Sequence, residues 1–178
     1  MEVLSLVKIL RILIAIAAIS ACFSGCTVKG SSGYDAAKRV VTDFVTMYYT
    51  IDKTDLENYG TITGGFIETE DEDGYWRFAA AVSSENKKFE GLMTEKAYQE
   101  LVDLRTGYQR IREAHEKQYI SQVTGVTLQE YAKGKNTVTY YYQVEIVRAY
   151  ENSGKIEQVS EKRQIEAAKL WGQWRVSK

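Results

Sequence analysis

The sequence predicts an α+β fold in which helices come first and a long antiparallel sheet follows. Apolar residues recur at three- and four-residue spacing between residues 37 and 51, which is the period of a helix with one buried face. Apolar and more polar residues then alternate between residues 137 and 146, the period of a strand with one buried face. A turn-forming segment at residues 151–155 separates this strand from more β-rich sequence, so we expect hairpin connections.

An export signal is predicted at the start of the chain. Lys8 and Arg11 precede an apolar run over residues 12–19, and mostly small residues lead from there to Cys26. A basic start, an apolar core of about 7 to 15 residues and small residues before the processing point make a secretory signal. A cysteine directly after such residues resembles the lipobox of bacterial lipoproteins, in which the cysteine receives diacylglycerol and becomes the mature N-terminus.

Two cysteines fit this pattern, because Cys22 and Cys26 each follow two small residues and an apolar one. We favour Cys26, with Cys22 as the alternative, because glycine precedes Cys26 and a polar, flexible segment follows it. This choice gives a signal peptide at residues 1–25, a lipidated cysteine with its tether at 26–33, and one α+β domain at 34–178.

The predicted lipid anchor sets the location of the domain and one of its partners. A cysteine carrying diacylglycerol and, in many bacteria, a further amide-linked chain has the several acyl chains that stable anchoring requires. We therefore expect an extracytoplasmic protein held at the outer face of the bacterial cell membrane. An uncleaved membrane anchor and a cytosolic protein are the alternatives, although the apolar run is shorter than the roughly 20 residues that span a bilayer.

Two helices are predicted directly after the tether. Asp35 is the expected cap of the first helix. Its buried stripe consists of Ala37, Val40, Val41, Phe44, Val45, Tyr48 and Ile51. Thr54 and Glu57 form a capping-box pattern at the start of a short second helix, which Gly60 is expected to end.

The segment from 61 to 86 is predicted to be a loop with some helix at 76–84. Its acidic run at 68–74 has part of a calcium-loop pattern, but the glutamate at the twelfth position is missing, so we interpret it as a solvated loop. Thr94 should cap a third helix that ends at Gly107. The expected buried face of this helix comprises Tyr98, Leu101, Val102 and Leu104.

Strands account for the remaining chain. The parity of the apolar residues changes at Gly125 within residues 119–131, which indicates a β-bulge. The next strand directs one set of side chains to the core: Val138, Tyr140, Tyr142, Val144 and Ile146. A strand over 156–170, a turn at 171–173 and a short closing strand at 174–176 complete a meander.

This order of elements, the break at Gly125 and the closing segment at 172–176 resemble the nuclear transport factor 2-like fold. In that fold, N-terminal helices pack in the concave face of a bent antiparallel sheet. The resemblance covers about residue 34 to the C-terminus. It extends to lipid-anchored proteins of Gram-positive bacteria, and related folds occur in membrane-anchored subunits of conjugation and type IV secretion systems. Because the fold hosts isomerases, dehydratases, ligand binders and interaction domains, the resemblance does not select a function.

Several function classes are disfavoured by the sequence. A formal net charge of −1 gives no basic field for nucleic acid. The sequence contains no phosphate-binding glycine loop, zinc-ligand cluster, nucleophile elbow or nucleotide fingerprint, so we predict no cofactor and no metal. The single histidine, His115, lies in a strongly polar stretch and is expected on a solvated surface.

A non-catalytic binding module is therefore the predicted function, and its partner is an unknown protein or small ligand. Tyr48, Tyr140 and Tyr142 are the candidate pocket residues, although the same tyrosines would also serve as core. Tyr141, on the opposite side of its strand, is the candidate for an interaction face. The alternatives are a small-molecule enzyme with its pocket in the sheet concavity and an assembly subunit of a conjugation or secretion apparatus.

Overall fold

The computed structural model describes residues 33–68 and 86–178. Contacts divide the chain into the units Met1–Ser31 and Ser32–Lys178, and all described residues belong to the second unit. The predicted signal peptide, both cysteines, the tether up to residue 32, the acidic run from residue 69 and the helix at 76–84 lie outside the described residues.

Helices precede strands throughout the described chain, which confirms the predicted α+β class. The helices are α1 (Gly33–Tyr49), α2 (Lys53–Glu68), a 3₁₀ helix (Lys87–Leu92), α3 (Glu95–Asp103) and α4 (Thr106–Lys117). The strands are β1 (Tyr119–Lys133), β2 (Thr137–Tyr150), β3 (Ile156–Leu170) and β4 (Gln173–Val176).

The four strands form one antiparallel sheet in the order β1-β2-β3-β4, so the predicted meander is confirmed. The register of β1 against β2 shifts between Val123 and Gly125, where the bulge was expected, and shifts again between Glu130 and Ala132. Strand β4 pairs with only the last four residues of β3, namely Ala167–Leu170.

The main core lies between α1 and the inward face of β2. All five residues predicted to face inward from β2 are buried. On α1 the buried residues are Ala37, Val41, Phe44, Val45 and Tyr49, whereas Val40 and Tyr48 are only partly buried against them. The helix begins at Gly33, two residues before its predicted cap Asp35.

Ile51 was predicted as the last member of the helical stripe, but α1 ends at Tyr49. Ile51 instead forms an isolated bridge with Ser121 at the start of β1, with both N–O distances 2.9 Å. Its side chain is buried in a separate small cluster with Ala114 and Tyr119. The bridge fixes the end of α1 against the sheet.

Helix α2 differs from its prediction at both ends. Its cap is a reciprocal pair in which Asp55 N donates to Asp52 Oδ1 at 2.9 Å and Asp52 N donates to Asp55 Oδ2 at 3.0 Å. This pair replaces the predicted box. The helix also continues through Gly60 to Glu68, because a glycine inside a helix costs only about 1 kcal/mol. A Cβ at Gly60 would lie at an ordinary contact distance of 3.6 Å from His115 Nε2, so α2 runs beside α4 at this point.

Helix α3 has the predicted cap, since Thr94 Oγ1 accepts a hydrogen bond from Ala97 N at 3.3 Å. It ends earlier than expected, at Asp103, and Arg105 adopts a left-handed conformation with φ of 53°. Leu104 was predicted to be buried but is 65% exposed at this junction.

The polar stretch after the junction forms α4, a helix that the sequence analysis did not predict. Tyr108, Ile111 and Ala114 form its buried face. His115 was expected on a solvated surface, yet it is partly buried and its ring lies 4.9 Å from that of Tyr59 on α2.

Within residues 33–68 and 86–178, no helix is long and apolar enough to span a membrane.

We expect Gly107→Ala to destabilise the domain, whereas Gly91→Ala should not. A Cβ at Gly107 would lie 2.7 Å from Oδ1 of Asn86, a side chain that is only 2% exposed and has little freedom to move. Such overpacking typically costs about 1–3 kcal/mol. Gly91 has no atom within 4 Å of an added Cβ and serves as the matched control. Urea denaturation measures both changes, and equal midpoints for the two variants would contradict the predicted clash.

Candidate functional site

The candidate site is a polar cluster at the end of α1, where α4 approaches the sheet. Tyr48 and Tyr49 come from the last turn of α1, and Arg110 comes from α4. Tyr142 on β2 and Glu161 on β3 complete the cluster from the sheet. Because Ile51 pairs with Ser121 directly after α1, the two α1 tyrosines are held at a fixed position over the strands.

A chain of hydrogen bonds joins the two inner tyrosines to the carboxylate. Tyr49 donates its hydroxyl proton to Glu161 Oε2 at 2.9 Å, and its oxygen lies 3.1 Å from that of Tyr142. Since a phenol has one proton, Tyr142 is the donor to Tyr49. Burial raises the pKa of Tyr49 well above its ordinary value, and Tyr142 and Glu161 raise it further. Tyr49 is therefore a fixed, neutral hydrogen-bonding group.

Each oxygen of Glu161 has an arginine neighbour, but only Oε2 lies within hydrogen-bond distance of one. Arg163 Nη2 lies 3.2 Å from Oε2, the oxygen that also accepts from Tyr49, and Arg148 Nη2 lies 3.9 Å from Oε1. The side chain is only partly buried. These contacts position the carboxylate beside Tyr49.

Arg110 is held by aromatic rings. The central carbon of its guanidinium lies 4.3 Å from the ring centre of Tyr48 and 4.3 Å from that of Tyr49. The two rings meet at 82°, with centroids 5.2 Å apart, so they enclose the guanidinium on two sides. Burial lowers the pKa of Arg110 while the two tyrosines and Glu161 raise it, and the guanidinium remains protonated.

A narrow cleft opens beside Arg110, between the end of α1, the 3₁₀ helix and α4. Its open volume of about 10 Å³ holds about one water molecule. Tyr48, Asn86, Lys88, Gly107 and Arg110 are among its lining residues, and we refer to it as the Arg110 cleft. Two of these contribute notable donors. Asn86 Nδ2 is buried with no hydrogen-bond partner among the described residues, whereas Lys88 Nζ lies 2.9 Å from Asp55 Oδ1.

The three predicted pocket tyrosines do not line one open pocket. Tyr48 lines the Arg110 cleft and stacks on Phe44, with centroids 5.6 Å apart. Tyr142 lies in the hydrogen-bonded cluster. Tyr140 is fully buried in the core, its hydroxyl has no partner in the described part of the chain, and burial raises its pKa to about 12.

Tyr141 lies on the other face of β2 and is 45% exposed. Its ring contacts that of Tyr131, which is 62% exposed, edge to face with centroids 4.9 Å apart. Tyr141 pairs in register with Gln129 on β1 and Gln164 on β3, while the charged Lys162 and Glu166 lie on the same face two residues to either side of Gln164. We call this surface the tyrosine pair.

Arg110, Glu161 and Asn86 belong to this region of the structure but were not predicted from the sequence. Glu161 offered a usable signal, because it shares strand parity with the buried residues Ile165 and Ala167 and pairs with the buried Val144. A carboxylate on the core-facing side of a strand requires partners. Arg110 gave no comparable signal in its polar surroundings. Among the described residues, no group of three or more histidine, cysteine or acidic side chains could hold a metal ion.

No protein-family model and no curated protein matches the chain. The crystal structure of the intermembrane space region of the chloroplast protein ARC6 is 7% identical with a TM-score of 0.36, over 52% of this chain and 74% of that one. The solution structure of RPA3114, a SEC-C motif containing protein from Rhodopseudomonas palustris, is 11% identical in sequence with a TM-score of 0.35, over 84% of this chain and 91% of that one. At these TM-scores neither likeness identifies a fold or a function.

Two tyrosine-to-phenylalanine substitutions should have different effects on stability. Tyr49→Phe removes the bond to Glu161 and leaves the buried Tyr142 hydroxyl without its acceptor, so we expect a loss of about 1–3 kcal/mol. Tyr140→Phe removes a buried hydroxyl that has no partner among the described residues, so stability should stay the same or rise by roughly 1 kcal/mol. Urea denaturation compares the free energies of unfolding. An equal loss in both variants would show that Tyr140 has a hydrogen-bond partner in solution.

Proposed function

We propose that the chain is a lipid-anchored extracytoplasmic lipoprotein whose domain, of the nuclear transport factor 2-like type, acts as a non-catalytic protein-interaction module. The observation that carries the interaction role is the tyrosine pair, two exposed aromatic side chains in contact on the face of the sheet opposite the helices. The lipoprotein role rests on the signal sequence and Cys26, with Cys22 as the alternative.

The fold type is supported by the order of elements. Helices pack on one face of an antiparallel meander, and the register of β1 shifts at Gly125. A bulge of this kind bends the strand that carries it and increases its twist, as a strongly bent sheet requires.

The tyrosine pair has the chemical character of an interface centre. Tyrosine gives a large and rigid contact area at low entropic cost, and it is enriched at interfaces and their hot spots. The cores of interfaces are also depleted of charge. Both residues directly opposite Tyr141 are glutamines, and the charges nearest to it on β3, Lys162 and Glu166, lie at diagonal positions as at the rim of a patch. A lone exposed aromatic would need no explanation, but two in contact present a continuous patch.

A small-molecule enzyme is the second candidate, and the hydrogen bond from Tyr49 to Glu161 is the observation in its favour. A tyrosine and a carboxylate are suitable groups for proton transfer. We prefer binding because the Glu161 carboxylate lies between two arginines and because Tyr140 and Tyr142 fill the space between α1 and the sheet. The third hypothesis, an assembly subunit, depends on an uncleaved N-terminus.

Intact-mass analysis of protein extracted from the membrane of the native host tests the anchor. The wild-type chain should begin at Cys26 and carry acyl mass. Cys26→Ala should lose that mass, whereas Cys22→Ala, the matched control, should be processed like the wild type. Loss of acylation in Cys22→Ala alone would move the site to Cys22. A chain that still begins at Met1 would overturn the lipoprotein proposal and favour the assembly subunit.

Site-specific photo-crosslinking in the native host tests the tyrosine pair. A photoreactive phenylalanine analogue at position 141 should give an adduct of one defined mass with a partner protein. The same analogue at Ser153, an exposed position in the β2–β3 turn, should give none. Tyr131→Ala should reduce the adduct yield about tenfold, the effect of losing a hot-spot contact of about 1.4 kcal/mol. Indistinguishable adducts from positions 141 and 153, or none from 141, would overturn the proposed face.

A further inference from the structure

We propose that the end of the sheet that carries Trp171 docks on the anionic surface of the lipid bilayer. This end consists of the β1–β2 turn at 134–136, the β3–β4 turn at 171–172 and the start of α1, and we refer to it as the tryptophan end. The inference rests on the proposed lipid anchor, which holds this end close to the membrane, and does not depend on the tyrosine pair.

The three segments of the tryptophan end lie side by side. Lys169 N donates to Asn136 O at 2.7 Å, which joins the end of β3 to the β1–β2 turn. The hydroxyl of Tyr34, in the first turn of α1, donates to Gly134 O at 3.3 Å. The ring of Tyr34 also lies 5.6 Å from that of Trp174 on β4. The first helix, which follows the predicted tether, therefore begins at this end of the sheet.

Trp171 is the residue that points to a ligand. Its side chain is fully exposed, and Leu170 beside it is 40% exposed. Trp171 and Gly172 have φ of 48° and 86°, and the two central residues of a type I′ hairpin turn both require positive φ. Asparagine, aspartate and glycine are usual there, whereas a bulky residue in the left-handed region is an outlier. The packing of the described residues does not require this tryptophan, so we infer a contact outside the chain.

A tryptophan beside a leucine suits the interface of a bilayer. Tryptophan is enriched where membrane meets water, because its ring is apolar and its indole N–H finds a polar partner among the headgroups. The length of the tether agrees with such a contact. Gly33 follows Cys26 by seven residues, which span no more than about 25 Å even when fully extended. Docking of this end on the bilayer is therefore an intramolecular event at high effective concentration.

The charge of the tryptophan end is complementary to anionic headgroups. Lys135 and Lys169 are exposed and make no ion pair among the described residues. Asp35 in the first turn of α1, and Glu130 and Glu166 directly before the two segments, leave the basic side chains in excess. Such lysines are attracted to an anionic membrane surface. Residues 131–137 and 167–178 contain no acidic side chain and five basic ones: Lys133, Lys135, Lys169, Arg175 and Lys178.

The opposite end of the sheet exposes an apolar side chain, Ile156, but the charges of its turn are paired. In the β2–β3 turn, Glu151 lies 2.9 Å from Lys53 and Lys155 lies 3.2 Å from Glu157. Paired charges have less to gain from anionic lipid. This end therefore supplies the control positions for the test.

The test reconstitutes the full chain, extracted from its native host, into vesicles of phosphatidylglycerol and acyl-brominated phosphatidylcholine. Bromine quenches the fluorescence of a tryptophan that reaches the acyl chains. The difference between wild type and Trp171→Phe isolates the emission of Trp171, and phenylalanine keeps a ring at the turn. We expect this emission to be quenched relative to vesicles of unbrominated lipid. A tryptophan at the opposite end, introduced by Ser153→Trp in the Trp171→Phe chain, should not be quenched.

Two lysine variants test the electrostatic part. Lys135→Gln should lower the ratio of docked to undocked chains about fivefold, the effect of removing one lysine from an anionic surface. Lys155→Gln, at the opposite end, should leave the ratio unchanged. The inference is overturned if Trp171 is not quenched, if position 153 is quenched equally, or if Lys135→Gln matches the wild type. Absence of quenching would leave a protein as the occupant of the tryptophan end.

Intact mass of the same reconstituted sample separates this inference from the proposed anchor. A chain that still begins at Met1 should bind the vesicles through its apolar run, so quenching reports docking in that case too. Acylation without quenching would overturn the docking alone, and quenching without acylation would overturn the lipid anchor alone. A chain that does not bind the vesicles would overturn both.

Discussion

The rest of the structure depends on the packing of α1 against the inward face of β2. Each element supplies one apolar face, a helical stripe in one case and an alternating set in the other, and neither face is buried without its partner. Full burial of a valine or a similar side chain contributes about 1.5–3 kcal/mol, so residues such as Val41, Val45 and Val144 supply much of the driving force. That packing fixes the position of the last turn of α1 and, with it, the polar cluster.

The polar groups inside this core differ in whether they have hydrogen-bond partners. The hydroxyls of Tyr49 and Tyr142 are satisfied by one another and by Glu161, which two arginines in turn position. Tyr140 lies two residues before Tyr142 on the same face of β2, and its hydroxyl has no partner in the described residues. A satisfied network stabilises and orients its members, whereas an isolated buried donor is a net cost. Tyr140 is thus best understood as core, and the Tyr49 network as the element that gives the site its fixed geometry.

The sequence was sufficient where local pattern and tertiary packing agree. The alternation of β2, the bulge at Gly125 and the Thr94 cap each follow from a few neighbouring residues. It did not predict the structure where contacts between residues distant in the sequence determine it. Gly60 is a plausible helix end by local rules, but α2 continues through it and packs on α4, where the rings of Tyr59 and His115 lie 4.9 Å apart.

The candidate site was harder to predict than the fold for the same reason. An arginine in the polar sequence of α4 is ordinarily solvated, and only the three-dimensional structure shows that Arg110 meets Tyr48 and Tyr49 from α1. The sequence singled out the tyrosines, but their grouping depended on which face each one occupies. No local rule distinguishes the half-buried Tyr48 from the buried Tyr49 at the end of a helix.

The geometry of β2 separates the tyrosine pair from the inner hydrogen-bonded network of Tyr49, Tyr142 and Glu161. Successive side chains of a strand point to opposite faces, so Tyr141 belongs to the outer face while Tyr142 belongs to the inner network. Within the described residues, Tyr131 and Tyr141 contact neither Arg110 nor Glu161. Substitutions at distant sites without common partners have nearly additive effects. A change in the tyrosine pair should therefore leave the inner network intact, so a loss of partner binding in such a variant can be assigned to the outer face.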